Sequence, residues 1–182
     1  MTLRDKLFSF DGRLRRQDWW LCTIAASIAY VVFVTVVTMT AWGVDDTIRT
    51  PPLAASIGDP IRYVLLTAAF HAPFVFVQAA LAAKRAHDRN HSARLVILLV
   101  LATAAMSYVP NNGYATLGRM ADGGALWAGA LVVAGVLNGA ASLYLLVVLG
   151  FLDGTSGPNR FGPSPKGLSG GAPAFMQPGG LE

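Results

Sequence analysis

Four stretches of the chain carry no charged residue. Trp19–Trp42 is 24 residues long, Tyr63–Ala83 is 21, Leu95–Gly118 is 24 and Gly123–Leu152 is 30. A bilayer's hydrocarbon core is about 30 Å thick and takes about 20 apolar residues of helix to cross. A soluble bundle would need polar faces at helical spacing, and these stretches have none. The chain of 182 residues, 54% of them hydrophobic, therefore reads as an all-α integral membrane protein with four transmembrane helices. The predicted spans are 19–42, 62–83, 94–110 and 126–150, in a single domain over 1–165. The Gly/Pro-rich residues 166–182 are predicted to be a disordered tail. The third span is the tightest fit, because Leu95–Val109 covers only about 22 Å at 1.5 Å per residue. It must borrow from the 91–94 flank, continue past Pro110 or thin the bilayer. The first stretch is too long for a signal-peptide core and reads as a retained anchor.

The charges between the stretches give a topology. Of 14 Lys and Arg residues, eleven lie at the N-terminus (Arg4, Lys6, Arg13, Arg15, Arg16), in the 84–94 turn (Lys84, Arg85, Arg89, Arg94) and in the tail (Arg160, Lys166). Only Arg49, Arg62 and Arg119 fall on the other side, among Asp45, Asp46, Asp59 and Asp122. The positive-inside rule places the eleven, and with them both termini, in the cytoplasm. In a bacterium this is the inner membrane. The distribution also explains the basic balance, pI about 9.6, without nucleic acid.

Trp19, Trp20, Trp42 and Trp127 fall at predicted span ends, where indole rings anchor at headgroup level. Cys22, the one cysteine, excludes an intrachain disulfide and reads as a small buried apolar residue. Two polar residues lie deep in the spans, His71 in the second and Asn138 in the fourth. They are expected to meet across helices as polar glue or to line a path for a proton or solute. No carboxylate lies beside them, which favours glue. Pro73 removes a backbone hydrogen bond from the second span and predicts a kink there. Gly135-x-x-x-Gly139, flanked by Ala128 and Ser142, makes a small-residue stripe. It suits close helix packing within the chain or a homo-oligomer contact.

Three polar segments share the cytoplasmic side: FSFDGRLRRQDWW (8–20), KRAHDRNHS (84–92) and GFLDGTSGPNRFGPSP (150–165). Together they resemble the YhaH-like family of bacterial inner-membrane proteins, domain of unknown function 805. The resemblance rests on Gly12, Arg13, Arg16 and Trp19 or Trp20 in the first segment. It rests on Lys84, Arg85, His87, Asp88, Arg89 and Ser92 in the second, and on Gly154, Gly157, Asn159, Arg160, Phe161, Gly162 and Pro165 in the third. Ala86 and Asn90 depart from it, standing where the family more often has a larger apolar residue and a glycine. The resemblance implies a membrane location and no activity.

Asp88 is the only acid of the middle segment. Bidentate geometry favours its pairing with Arg13, Arg16 or Arg160, which would tie the N-terminal segment or the tail to the turn. The glycines and prolines of the third segment predict a turn-rich strap, with Asn159 and Arg160 as donors. Cations outnumber acids, so a pocket of Arg13, Arg16, Arg85, Arg89 and Arg160 is expected to be able to hold an anionic lipid headgroup. His87-Asp88-x-x-His91 resembles a zinc-protease helix, but Asp is short and nearby cations repel a metal. No metal or cofactor is therefore expected. The primary expectation is a non-enzymatic membrane protein whose basic face clamps the fold and binds anionic lipid or a partner protein. The alternatives are a small transporter or channel lined by His71 and Asn138, and an enzyme using Asp88 or a His87/His91 metal site.

Overall fold

Helix formation follows the charge-free stretches but overruns them. The computed structural model describes residues 2–49, 60–117 and 124–167. A short helix, α1 (Leu3–Phe8), opens on a capping box: Asp5 N–H donates to Thr2 Oγ1, and Thr2 N–H donates to the Asp5 carboxylate at 3.0 Å. The long helices are α2 (Arg16–Arg49), α3 (Pro60–Asp88), α4 (Arg94–Leu117) and α5 (Gly124–Leu145). Helix α5 runs on into a π-helical turn, Leu146–Phe151. The described residues contain no β-sheet, only an isolated bridge between Asn159 and Gly162.

Two boundary expectations change. Asp45 and Asp46, placed in an outer loop, continue α2. Helix α4 does not stop at Pro110 but passes through it to Leu117. Helix α3 likewise runs through Pro73. Among the described residues, two helical segments are long and apolar enough to cross a membrane by length and composition: Arg16–Val37 and Gly129–Phe151, each with a mean hydropathy of 2.2. Arg94–Ser107 is a shorter apolar helix. The predicted tail beyond Gly167, the outer-side residues Asp59, Arg119 and Asp122, and the side chains of Arg49, Arg62, Trp42, Trp127 and Ala128 lie outside the described residues.

Helix α3 packs between α2 and α4, α4 packs on α5, and the π-helical turn closes back onto α2. The core sits at one end of this bundle, where Leu14, Trp19, Cys22, Leu81, Ala82, Ala86, Val96 and Leu149 are buried together. Further along the helices the apolar side chains face outward, among them Ile24, Ile28, Val31 and Val32 of α2 and Val132, Val133 and Val136 of α5. That inversion of the soluble pattern is what a lipid solvent requires. Trp19 belongs to the core, and the Trp20 indole donates to Gly150 O at 3.0 Å. Neither ring is therefore a free headgroup anchor. Both crowd Gly150, where a Cβ would lie 2.8 Å from Trp20. Among the described residues nothing packs against Gly135 or Gly139, where a Cβ would meet nothing within 4 Å.

Helix α3 ends in a Schellman motif. His91 N–H donates to Ala86 O and Asn90 N–H to His87 O, both at 3.0 Å, with Asn90 left-handed at φ 61. This accounts for the asparagine at a position where glycine is the common solution. Asn90→Gly should leave stability equal or higher. Asn90→Ala should lower it by about 1–2 kcal/mol, the left-handed penalty of an ordinary side chain. Thermal unfolding in detergent reads both, and equal midpoints for the two would show that the motif does not hold this turn.

Candidate functional site

The core end of the bundle buries four charged side chains: Arg13 (6% exposed), Lys84 (0%), Arg85 (0%) and Asp88 (4%). Burying a charge without partners costs several kcal/mol, so each requires an account. Asp88, the last residue of α3, carries two guanidinium groups. Arg13 Nε and Nη2 both donate to Oδ1, at 3.1 and 3.0 Å, and Arg85 Nη1 donates to Oδ2. The Arg13 partner agrees with the sequence expectation. The Arg85 partner does not appear in it, although the i,i+3 spacing on one helix was the available signal. Arg16 instead pairs with Asp153 at 3.2 Å, and Arg160 donates to Asn90 O at 3.0 Å.

Arg13 uses all five of its N–H groups. Besides Asp88, it donates to Gly157 O at 2.7 Å, Gly162 O at 3.2 Å and Thr155 O at 2.8 Å. One side chain before α2 thus holds both α3 and the strap after α5. The strap docks on the end of α3 as well. Thr155 N–H and Oγ1 both donate to Asp88 O at 2.9 Å, and Asn159 Nδ2 donates to His87 O at 3.0 Å. Gly154 permits this approach, because a Cβ there would lie 1.8 Å from Asp88 Oδ2. Gly157 (φ 77) and Gly162 (φ 129) supply the left-handed turns.

The excess positive charge goes to helix C-termini, where carbonyls lack partners and the helix dipole is negative. Of five consecutive carbonyls in and just after the π-helical turn, cations take four and the Trp20 indole takes the fifth. Arg89 donates to Val148 O, Arg85 to Leu149 O at 2.8 Å and to Leu152 O, Trp20 to Gly150 O, and Arg16 to Phe151 O at 3.1 Å. The turn is wound as a π-helix, with Leu152 N–H donating to Val147 O at 3.2 Å. At α1 the Lys84 ammonium donates to Asp5 O and Lys6 O. Burial pulls the pKa of this lysine down to about 8, outweighing the opposite pull of the nearby Asp5 and Asp11 carboxylates.

His87 lies at the rim of the site, stacked on Phe161 with ring centroids 4.0 Å apart, while the Arg160 guanidinium stands 4.7 Å from the same Phe161 ring. Burial lowers its pKa, so it is neutral near pH 7. Its Nδ1 carries the proton, since it faces Gly12 O at 3.3 Å and a carbonyl can only accept. His91 lies beyond the end of α3 and does not share a helical face with His87. Among the described residues no group of three His, Cys, Asp or Glu is placed to hold a metal.

His71 and Asn138 do not meet. His71 Nδ1 pairs with Tyr30 of α2, in a cluster with Phe74. Asn138 donates to Ser107 of α4 at 3.0 Å. Each joins a neighbouring pair of helices.

A family model described as "Protein of unknown function (DUF805)" matches residues 7–163. The chain belongs to that family. The matched span takes in the first segment, the turn and the strap through Gly162, so every part of the Asp88 node is DUF805 sequence. No curated protein and no solved structure matches the chain.

Removing the shared carboxylate strands two guanidinium groups. Asp88→Asn should cost about 3–5 kcal/mol, as for other broken buried pairs. Gly154→Ala, which removes no charged group, should be of similar severity because its Cβ displaces the same carboxylate. Folded yield and unfolding midpoint in detergent would test both, and a Gly154→Ala protein as stable as the parent would contradict the close packing of strap on acid. Lys84 gives a pH test. Its folded pKa lies below its unfolded value of about 10.4, so its contribution is fully favourable above that value and is lost as pH falls through about 8. Unfolding free energy should therefore rise from about pH 8 to about pH 10, and Lys84→Met should flatten that rise.

Proposed function

We propose that the chain is a four-span protein of the bacterial inner membrane, with both termini cytoplasmic. The Asp88 node is its clamp, and the cations around the clamp rest on anionic lipid headgroups. The observation that carries this reading is the division of the basic residues into two sets. Arg13, Lys84 and Arg85 are enclosed and consumed by protein acceptors, whereas Arg4, Arg15, Arg16, Arg94, Arg160 and Lys166 are exposed around them. Each exposed cation near an anionic leaflet contributes about 1 kcal/mol. Arg13 and Arg85 therefore act in the clamp, and headgroup contact falls to the rim. A non-enzymatic role is supported by Asp88, whose two oxygens are both held by guanidinium groups, leaving none to act as a general base. The uncovered face of Gly135 and Gly139 is where a second copy would dock.

The lipid reading is tested by native mass spectrometry from nanodiscs mixing phosphatidylcholine with phosphatidylglycerol. The protein should retain phosphatidylglycerol preferentially, and Arg15→Gln/Arg94→Gln/Arg160→Gln should lose that preference severalfold while unfolding normally. Equal retention by the variant would refute the headgroup role. The topology is tested by single cysteines at Ser9 and Ser164 in a Cys22→Ala background. Both should resist an impermeant maleimide in intact spheroplasts and react after lysis.

A further inference from the structure

A cleft of about 440 Å³ lies between the four long helices, beside the clamp and away from its charges. Its size falls in the range of small-molecule sites. Trp19, Ala82 and Leu149 line it where it borders the core, and His71 lines it deeper in the bundle. Each helix adds one uncharged polar residue at a similar level. Thr23 is seven residues from the clamp end of α2, Gln78 ten from that of α3, Thr103 nine from that of α4 and Ser142 nine from the end of the π-turn. At 1.5 Å per residue all four stand about 10–15 Å from the clamp.

Three of these residues have unused hydrogen-bonding capacity. Thr23 Oγ1 is buried with no partner. Gln78, which is half-buried, and Ser142, which is exposed, make no side-chain hydrogen bond to another described residue. In hydrocarbon there is no water to satisfy them, and a buried polar atom left alone in a native structure calls for an explanation. No charged side chain lines the cleft, so a charged ligand would pay its full desolvation cost there.

We propose that this cleft binds an uncharged lipid with a carbonyl-bearing head, its carbonyl oxygens accepting from Thr23, Gln78 and Ser142 and its chain lying along the apolar walls. Prenylquinones and diacylglycerols share that chemistry. The inference rests on the membrane-spanning reading and goes beyond the headgroup role, because its ligand is uncharged and lies inside the bundle.

The test uses the full chain in phosphatidylcholine nanodiscs doped separately with a prenylbenzoquinone, a diacylglycerol or squalene, followed by native mass spectrometry. The protein should retain one equivalent of a carbonyl lipid and no squalene, and the two carbonyl arms identify the head. Thr23→Val/Gln78→Leu should cut retention about tenfold, the effect of losing one to two hydrogen bonds. Its unfolding midpoint without lipid should hold or rise, because polar atoms lacking partners have been removed. Retention of squalene, equal retention by the variant, or no retained lipid would each overturn the proposal. A chain that remains soluble without detergent would defeat the membrane reading, whereas a membrane-embedded chain with an empty cleft would defeat only this inference.

Discussion

Three buried cations lie near one buried carboxylate that only two of them reach, and the rest of the architecture follows from how that imbalance is met. Asp88 neutralises part of the charge of Arg13 and Arg85. The remainder is spread over carbonyl oxygens at the ends of α1 and α5 and along the strap. A helix C-terminus offers about half a negative charge and several unpaired acceptors, so two helix ends and one acid can hold three cations with their donors satisfied. This requires the ends of α1, α3 and α5 to converge on one small volume. The convergence sets where α2 begins, where α3 stops and why the chain after α5 must fold back.

The features around the node serve that convergence. Asn90 turns the chain sharply at the end of α3, leaving Asp88 and His87 with carbonyls that Thr155 and Asn159 reach. Gly154 admits the strap against the carboxylate, and Gly150 admits the two tryptophans against the end of α5. Four side chains share the carbonyls of the π-helical turn and of Leu152 after it. A regular α-helix there would spend some of those carbonyls on its own backbone.

Much of this was legible in the sequence, and the limits have physical causes. Charge-free length gave the helices, because charge exclusion is a property of composition. The motifs gave the segments that meet, and Asp88 stood out as the one acid among many bases. Its pairing with Arg13 was readable from chemistry. The part played by Arg85 was harder to see, because a residue on the same helix as its partner looks like local decoration until burial is known. Backbone acceptors leave no mark in the sequence, so the carbonyls of Val148 to Leu152 were invisible although they hold half of the site. Trp19 and Trp20 were misplaced for a related reason: their position at a span end suits an interfacial anchor, and only the absence of a side chain at Gly150 shows that they pack inward. His71 and Asn138 were paired by depth alone, yet depth says nothing of which way a helix faces.

The clamp also bears on how such a chain selects one fold. A buried ion network is seldom more stable than a well-packed apolar replacement, so net stability is a weak reason for this one. Within a bilayer, however, apolar helices have little preference among partners, since lipid tails solvate them as well as another helix does. The outward-facing aliphatic side chains of α2 and α5 would allow several arrangements of the four long helices. Arg13 allows one, because its five donors are satisfied only when the strap and the end of α3 stand together against the start of α2. A network that is costly when incomplete penalises every other arrangement of the bundle, and in the membrane setting proposed above that penalty would supply the specificity that hydrophobic burial cannot provide.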